Sequence, residues 1–356
     1  MARPSQRARN GGDPQVKKRG RGVASMFYGI GRTGTIDAAS AHVEIDDGGS
    51  VKLLTGATEI GEGILTALAQ IAAEEVGVEV DDVRIADNDT AVVPEASHAG
   101  ASRQTYVIGN AVIAACREAN SRLYACLAER WGVPAEDIDS RHRKVWSRSR
   151  PELSLSMAEA VKYCKSQGRF LVGSGAWRSV GTALDPESGE GDPWSTYVWG
   201  SQIAEVEVDT ESGEVTVLDV WAAHDVGKAI NPQGVEGQVE GGVVMGMGMA
   251  LMEEYVLEEG IPKTGGFSKY ILPTSLDIPR IHSLIIEDPE LLGPHGAKGV
   301  GEPTSLPTAP AIINAIYDAI GVRIDTLPAS PERILAALKA RSDAERRLTA
   351  EANAKE

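Results

Sequence analysis

The sequence of 356 residues has only three cysteines and none of the spacings that usually bind metal ions. Cys116, Cys126 and Cys164 form no CxxC pair, and the six histidines form no HxH or HExxH pattern. Few and scattered cysteines are typical of a protein in a reducing compartment. We therefore expect a cytoplasmic protein whose own side chains hold no zinc ion and no iron–sulfur cluster.

Long apolar runs and an excess of positive charge are also missing. No stretch approaches the roughly 18 consecutive apolar residues of a membrane-spanning helix, so no membrane partner is expected. The net charge of −16 argues against nucleic acid as a partner, because phosphate contacts need clustered Lys and Arg. Residues 1–22 are the exception, with seven Lys or Arg and one Asp. No apolar run follows them, which predicts a disordered basic arm rather than a secretion signal.

The GxxxxGK[ST] phosphate loop, a GxGxxG after a strand and the GxSxG nucleophile motif are absent as well. The sequence has instead four glycine-rich loops, three of which run directly into predicted helices. They are "TEIGEG" at 58–63, "HAGAS" at 98–102, "GQVEGG" at 237–242 and "GAKGVGE" at 296–302. Because exposed amides at helix N-termini bind anions, the four loops together indicate an anionic cofactor.

The order of the apolar patterns predicts an α+β (mixed α/β) fold in two lobes, with mixed sheets covered by helices. Strand patterns occur at 42–56 and 197–227, and helix patterns occur at 64–77, 102–132 and 231–255. The last helix pattern holds six glycines, which indicates close approach to other backbone or to a ligand. The expected boundaries are a first lobe at 23–150, a second lobe at 151–340 and a polar tail at 341–356.

Glu302 is the strongest candidate for a catalytic acid or base. It lies in "GAKGVGEPTSLPTAP", where its neighbours offer almost no side chains. Two structural roles remain open at this point, because Glu302 could cap the helix near Pro310 or pair with Lys298. Glu62 lies between two glycines just before a helix, where the helix dipole favours a carboxylate. It therefore has both a capping and a ligand-binding interpretation.

At these same loops the sequence resembles the xanthine dehydrogenase and aldehyde oxidase family of molybdenum hydroxylases. The matching segments are "TEIGEG", "GASRQTYVIGNA", "NPQGVEGQVEGG" and "GAKGVGEPTSLPTAPAIINAIYDAIGVRI", in the order and spacing of that family. The resemblance covers residues 20–340. It is confined to the C-terminal half of the molybdopterin-binding large subunit, and it is similar to the split-subunit arrangement of nicotinate dehydrogenase.

The resemblance implies a molybdopterin-binding fold with a molybdenum–molybdopterin cofactor, in the cytosine dinucleotide form. It also implies three protein partners: the N-terminal-half molybdopterin subunit, a [2Fe–2S] subunit and an FAD subunit. The implied reaction hydroxylates a carbon of an N-heteroaromatic compound or an aldehyde, with oxygen from water, and passes electrons to the partners. Two alternatives stay open, a non-catalytic protein that handles the cofactor during assembly and a subunit of an aromatic-thioester reductase.

The resemblance also assigns residues. Glu302 matches the catalytic glutamate, which takes a proton at the metal centre, and Phe27 and Tyr28 fall where the substrate pocket is lined. The residues that match cofactor-binding positions are Gly61, Glu62, Gly63, Gly100, Ala101, Ser102, Arg103, Gln104, Gln238, Gly299, Val300 and Gly301. Among these, Arg103 and Gln104 match members that hold a cytosine dinucleotide. Glu62 departs from the family, which usually has Gln there, and an ionised carboxylate cannot donate a hydrogen bond as an amide does.

Overall fold

The computed structural model describes residues 16–33, 36–181 and 183–353 and has a mixed α/β architecture, which confirms the predicted fold class. The strands are β1 (Lys17–Gly29), β2 (Ala38–Ile45), β3 (Val51–Thr55), β4 (Val83–Ile85), β5 (Ile138–Arg141), β6 (Lys144–Ser147), β7 (Ser154–Ser156), β8 (Val172–Arg178), β9 (Tyr197–Asp209), β10 (Val215–Asp225), β11 (Leu257–Glu258), β12 (Ile261–Pro262) and β13 (Arg280–Ile286). The helices are α1 (Ile64–Val76), α2 (Gly109–Trp131), α3 (Met157–Ser166), α4 (Pro232–Leu251), α5 (Thr308–Ile320) and α6 (Pro331–Asn353).

Two four-stranded sheets share one arrangement of strands, although the strand beside the antiparallel pair comes last in the chain in the first sheet (β8) and first in the second (β1). The first sheet has the order β4-β3-β2-β8, and the second sheet has the order β13-β10-β9-β1. Each contains an antiparallel pair, β2–β3 or β9–β10, followed by a helix that crosses over to a parallel strand. The crossover helix is α1 before β4 and α4 before β13, because parallel neighbours need a long connection. A further helix, α2 or α5, then covers the sheet.

Glycines on the edge strands let these covering helices pack very closely. A Cβ built at Gly20 or Gly22 of β1 would lie 2.3 or 2.2 Å from a backbone carbonyl oxygen of α5. A Cβ at Gly173 or Gly175 of β8 would lie 2.0 or 2.2 Å from a carbonyl oxygen of α2. Only glycine fits at such distances, so both edge strands depend on this spacing.

The two hydrophobic cores do not follow the expected lobe boundaries. The first core contains residues from Ile30 to Val198, including Met157, so a boundary at 150 cuts through it. The second core contains residues from Ala204 to Ile334. The difference arises because β8 returns to pair with β2 in the first sheet, more than a hundred residues later in the chain.

The prediction for the start of the chain also needs correction. Lys17 to Gly22 are not a disordered arm, because they form the start of β1 and pair with β9. The rest of the predicted arm, up to residue 15, lies outside the described residues. The predicted polar tail continues as helix to Asn353 within α6. No helix among the described residues combines the length and the apolar character needed to cross a membrane.

Candidate active site

The Glu302 carboxylate lies where three segments meet. Glu302 opens a 3-10 turn (Glu302–Thr304) that leads toward α5. Its Oε2 accepts hydrogen bonds from the Tyr28 hydroxyl at 2.6 Å and from the Ser102 hydroxyl at 3.2 Å. The Glu302 N–H in turn donates to Ser102 Oγ at 3.2 Å. The end of β1 and the loop at 98–102 therefore both hold the predicted base, whose side chain is exposed.

Both structural alternatives for Glu302 are excluded by these contacts. Lys298 donates to Asp225 at 2.6 Å, and both side chains are buried, so Lys298 is not the partner of Glu302. Helix α5 begins after Pro307 without a side-chain cap. The carboxylate thus serves neither as a helix cap nor in an ion pair with its neighbour.

Backbone N–H groups on two loops are free to bind a ligand. In the described part of the chain, the N–H groups of residues 100–102 and 299–301 donate no hydrogen bond. Gly299 is buried, and buried N–H groups normally have an acceptor. The Gln238 side chain also has no hydrogen-bond partner among the described residues, and its Oε1 lies 3.5 Å from the Cβ position of Gly301. This donor set fits an anionic group such as a phosphorylated pterin.

Gly299 marks the closest approach between the two loops. A Cβ at this position would lie 1.8 Å from the backbone carbonyl oxygen of Ser102. We expect Gly299→Ala to push the loops apart and to destabilise the chain by about 1–3 kcal/mol, measured by thermal unfolding. Gly241→Ala is the matched control, because Gly241 faces open space on α4. It should stabilise the helix by about 0.5–1 kcal/mol, and an equal effect of the two substitutions would contradict the close approach.

Close packing explains some of the glycines of α4 but not others. A Cβ at Gly242 would lie 2.0 Å from Thr304 Oγ1, and a Cβ at Gly246 would lie 2.5 Å from Thr308 Cβ. These two glycines let α4 reach the turn that carries Glu302, as the sequence predicted for the helix as a whole. Gly237 and Gly241 instead have no neighbour within 4 Å among the described residues. Close packing therefore explains only part of the glycine content.

A network of buried polar side chains holds the 3-10 turn at 302–304. This network was not predicted from the sequence. Gln202 of β9 is fully buried and donates to the Thr304 carbonyl oxygen at 2.7 Å. Its amide oxygen accepts from Thr308 Oγ1 at 2.6 Å, and its Nε2 lies 3.0 Å from His224 Nε2. Burial lowers the pKa of His224 to about 4, so its ring is neutral. The available signal was a Gln and a His at buried positions of β9 and β10, where most of the other buried residues are apolar.

Arg103 serves the fold through its side chain. The guanidinium is fully buried, pairs with Asp37 at 2.5 Å and donates to the carbonyl oxygens of Ala96 and Ala38 at 2.6 and 2.9 Å. Its backbone N–H donates to Gly100. Every one of these contacts is within the chain, so they do not support the predicted cofactor contact of Arg103, which stays a prediction.

The loop at 58–63 is held by hydrogen bonds to the carboxylate of its own residue Glu59. Glu59 accepts hydrogen bonds from the N–H groups of Gly61, Gly63 and Leu65 at 2.9–3.2 Å. Burial raises the pKa of Glu59, but these backbone hydrogen bonds outweigh it and hold the pKa below its usual value. Glu59 thus occupies the anion position at the start of α1. The predicted cofactor contacts of Gly61 and Gly63 stay a prediction.

Glu62 and Gln104 form a hydrogen bond with each other, and their predicted cofactor contacts stay a prediction. Gln104 Nε2 donates to Glu62 Oε1 at 2.9 Å and to the Thr58 carbonyl oxygen at 2.9 Å. The other oxygen of Glu62 accepts from the Ile60 N–H at 2.8 Å. Where the family usually has an amide donor, this chain therefore has an acceptor whose two oxygens are engaged.

Of the two predicted pocket residues, only Tyr28 reaches Glu302. Side chains alternate between the faces of a strand, so Phe27 points to the opposite face of the second sheet. Its side chain is 63% exposed and packs against Trp199 at a ring distance of 5.3 Å. Because its side chain lies on the opposite face of the sheet from Glu302, the structure does not support the assignment of Phe27 to the pocket.

Comparisons with known proteins identify the family. A family model described as molybdopterin cofactor-binding domain matches residues 2–279. The xanthine dehydrogenase molybdenum-binding subunit of Escherichia coli O157:H7 is 33% identical over 325 residues, which cover 89% of this chain and 42% of that protein. The aldehyde oxidoreductase of Megalodesulfovibrio gigas is 33% identical over 330 residues, which cover 91% of this chain and 33% of that protein.

A solved structure shares the fold. The quinoline 2-oxidoreductase from Pseudomonas putida 86 aligns with a TM-score of 0.79 and 29% identity, covering 91% of this chain and 42% of that one. The chain therefore spans less than half the length of these relatives. Since the family model covers well over half of its residues, the chain belongs to the molybdopterin cofactor-binding domain family, in the group of xanthine dehydrogenases and aldehyde oxidoreductases that the sequence predicted.

Proposed function

We propose that this chain is the molybdopterin-binding catalytic part of a multi-subunit molybdenum hydroxylase. Its substrate is an N-heteroaromatic compound or an aldehyde, and the oxygen it inserts comes from water. The observation that carries the proposal is an exposed glutamate held by two hydroxyl groups beside two loops with free backbone N–H groups. A protein that only handled the cofactor during assembly would not require such a base.

The residues that would hold the cofactor are those with unused hydrogen-bonding capacity. They are the backbone N–H groups of 100–102 and 299–301 and the side-chain amide of Gln238. The bound cofactor supplies a two-electron redox centre and activates water-derived oxygen. We take it to be the cytosine dinucleotide form, as the sequence resemblance implies, and nucleotide analysis of the extracted cofactor tests this.

The proposed partners are an N-terminal-half molybdopterin polypeptide, a [2Fe–2S] subunit and an FAD subunit. The support is that the Escherichia coli O157:H7 relative is named as a molybdenum-binding subunit and is more than twice the matched length. The exposed position of Glu302 is consistent with a site completed by further polypeptide.

The reaction is tested on the complex purified with its natural partners. Purines, nicotinate, quinolines and aldehydes are screened by dye reduction, and products of positive reactions are analysed by mass spectrometry after turnover in ¹⁸O-labelled water. The proposal expects at least one substrate with label in the new hydroxyl or carboxyl group. Dye reduction whose product carries no oxygen from water would contradict a hydroxylase.

Gln238 gives a separate test of cofactor binding. We expect Gln238→Ala to weaken cofactor retention by about tenfold, because its side-chain amide would lose its hydrogen bond to the cofactor. Molybdenum content after dialysis is the measurement. Gln233→Ala, an exposed position on the same helix, is the control. Equal cofactor loss in both variants, or in neither, would count against the role of Gln238.

A further inference from the structure

The Glu302 carboxylate receives both of its hydroxyl hydrogen bonds on one oxygen. Oε2 accepts from Tyr28 at 2.6 Å and from Ser102 at 3.2 Å. In the part of the chain that the structure describes, Oε1 accepts no hydrogen bond. One oxygen of the carboxylate is thus held by the protein, and the other is free to react.

The two hydroxyl groups are fixed relative to each other through the backbone. Just beyond β1, the Gly31 N–H donates to the carbonyl oxygen of Ala101 at 2.9 Å, which joins the strand to the Ser102 loop. Gly29 lies so close to Trp194 that a Cβ would be 2.2 Å from its indole ring. The chain around Tyr28 therefore has little freedom to move away from Glu302.

Two adjacent residues with a strained backbone lie at the same place. Ala101 and Ser102 both have positive φ, 53° and 48°, a region that residues other than glycine rarely adopt. Ser102 Oγ uses this conformation to accept from the Glu302 N–H and to donate to its carboxylate. Strained residues of this kind cluster at functional sites, where the surrounding structure holds them.

Tyr28 remains a hydrogen-bond donor at any physiological pH. Burial raises the pKa of Tyr28, and the hydrogen bond to Glu302 and the charge of that carboxylate raise it further. Two charged side chains on the neighbouring loops are engaged elsewhere, Lys298 with Asp225 and Arg103 with Asp37. Tyr28 is therefore suited to holding the carboxylate and not to exchanging protons with it.

We propose that Tyr28 is a positioning residue for the base. Its hydroxyl, together with that of Ser102, holds Glu302 by Oε2 and leaves Oε1 directed to accept the proton that the reaction releases. A fixed geometry of this kind is what makes a general base efficient. The inference rests on the proposed function and adds to it a residue with no direct part in the proton transfer.

Tyr28→Phe tests the inference in the purified complex, since it keeps the ring and removes only the hydroxyl. We expect kcat to fall about tenfold through loss of a hydrogen bond to a charged group, with KM and molybdenum content unchanged. Tyr197→Phe is the matched control, because Tyr197 pairs with Gly29 on the adjacent strand and its hydroxyl bonds no described residue. An unchanged kcat in Tyr28→Phe, or an equal fall in Tyr197→Phe, overturns the inference.

A second measurement needs no turnover. In the purified complex, thermal unfolding is compared for Tyr28→Phe, Glu302→Ala and the variant with both substitutions. Because the Tyr28 hydroxyl donates to Glu302, the double variant should lose less stability than the sum of the two single losses. Additive losses overturn the Tyr28–Glu302 contact. A wild-type complex without turnover would instead contradict the proposed function, and the unfolding comparison would still decide whether Tyr28 holds Glu302.

Discussion

Glu302→Gln is expected to lower turnover by a factor of about 10³ or more while leaving cofactor content and assembly intact. The amide has the size of the carboxylate, and its oxygen can still accept hydrogen bonds from Tyr28 and Ser102. It cannot accept a proton under the reaction conditions. The substitution therefore separates the role of a base from that of a structural hydrogen-bond acceptor.

Turnover and molybdenum content are measured on the same preparation of the complex. Glu214→Gln, in the exposed turn between β9 and β10, is the control for a lost carboxylate and should behave as the wild type. Substantial activity in Glu302→Gln would remove Glu302 from the role of base. A variant that lost its molybdenum would show instead that the carboxylate is needed to hold the site together.

Arg103→Leu is expected to destabilise the chain by about 3–5 kcal/mol, the largest effect on stability that we predict. Removal of the guanidinium leaves Asp37 as an uncompensated charge whose side chain is 1% exposed. It also leaves the carbonyl oxygens of Ala96, His98 and Ala38 without their donor. The free energy of unfolding, from denaturant titration, is the measurement.

Arg117→Leu is the matched control for this effect. Arg117 pairs with Glu75 at 2.6 Å, but its side chain is 70% exposed, so the loss should be at most about 1 kcal/mol. Replacing both Asp37 and Arg103 by Leu should recover part of the stability, because no unpaired charge remains buried. Equal losses for Arg103→Leu and Arg117→Leu would contradict the structural role of the buried pair.

Local patterns in the sequence located the secondary structure well. The alternating runs around "DTESGE" predicted the hairpin that β9 and β10 form, and the pattern at 231–255 predicted α4. The candidate base could also be found from the sequence, because a carboxylate between glycine-rich backbone and proline is unusual. These features depend on residues close together in the chain, which a single sequence displays directly.

Contacts between segments that lie far apart in the sequence could not be predicted in the same way. Residues 17–22 resemble a disordered basic segment, yet Lys17, Arg19 and Arg21 pair with Glu207 and Glu205 of β9, and the intervening glycines pack on α5. The inward direction of the Arg103 side chain likewise depends on Asp37, 66 residues earlier in the chain. Resemblance to a family located the loops but not the direction of each side chain within them.

Metal and cofactor analysis of the purified complex tests the central claim most directly. If the chain holds a molybdenum–molybdopterin cofactor through the loops at 100–102 and 299–301, the complex should contain molybdenum and a pterin in equal amounts, near one of each per copy of this chain. Gly299→Ala should lower both together, because it separates the two loops. A folded, intact wild-type complex with neither molybdenum nor pterin would contradict the account.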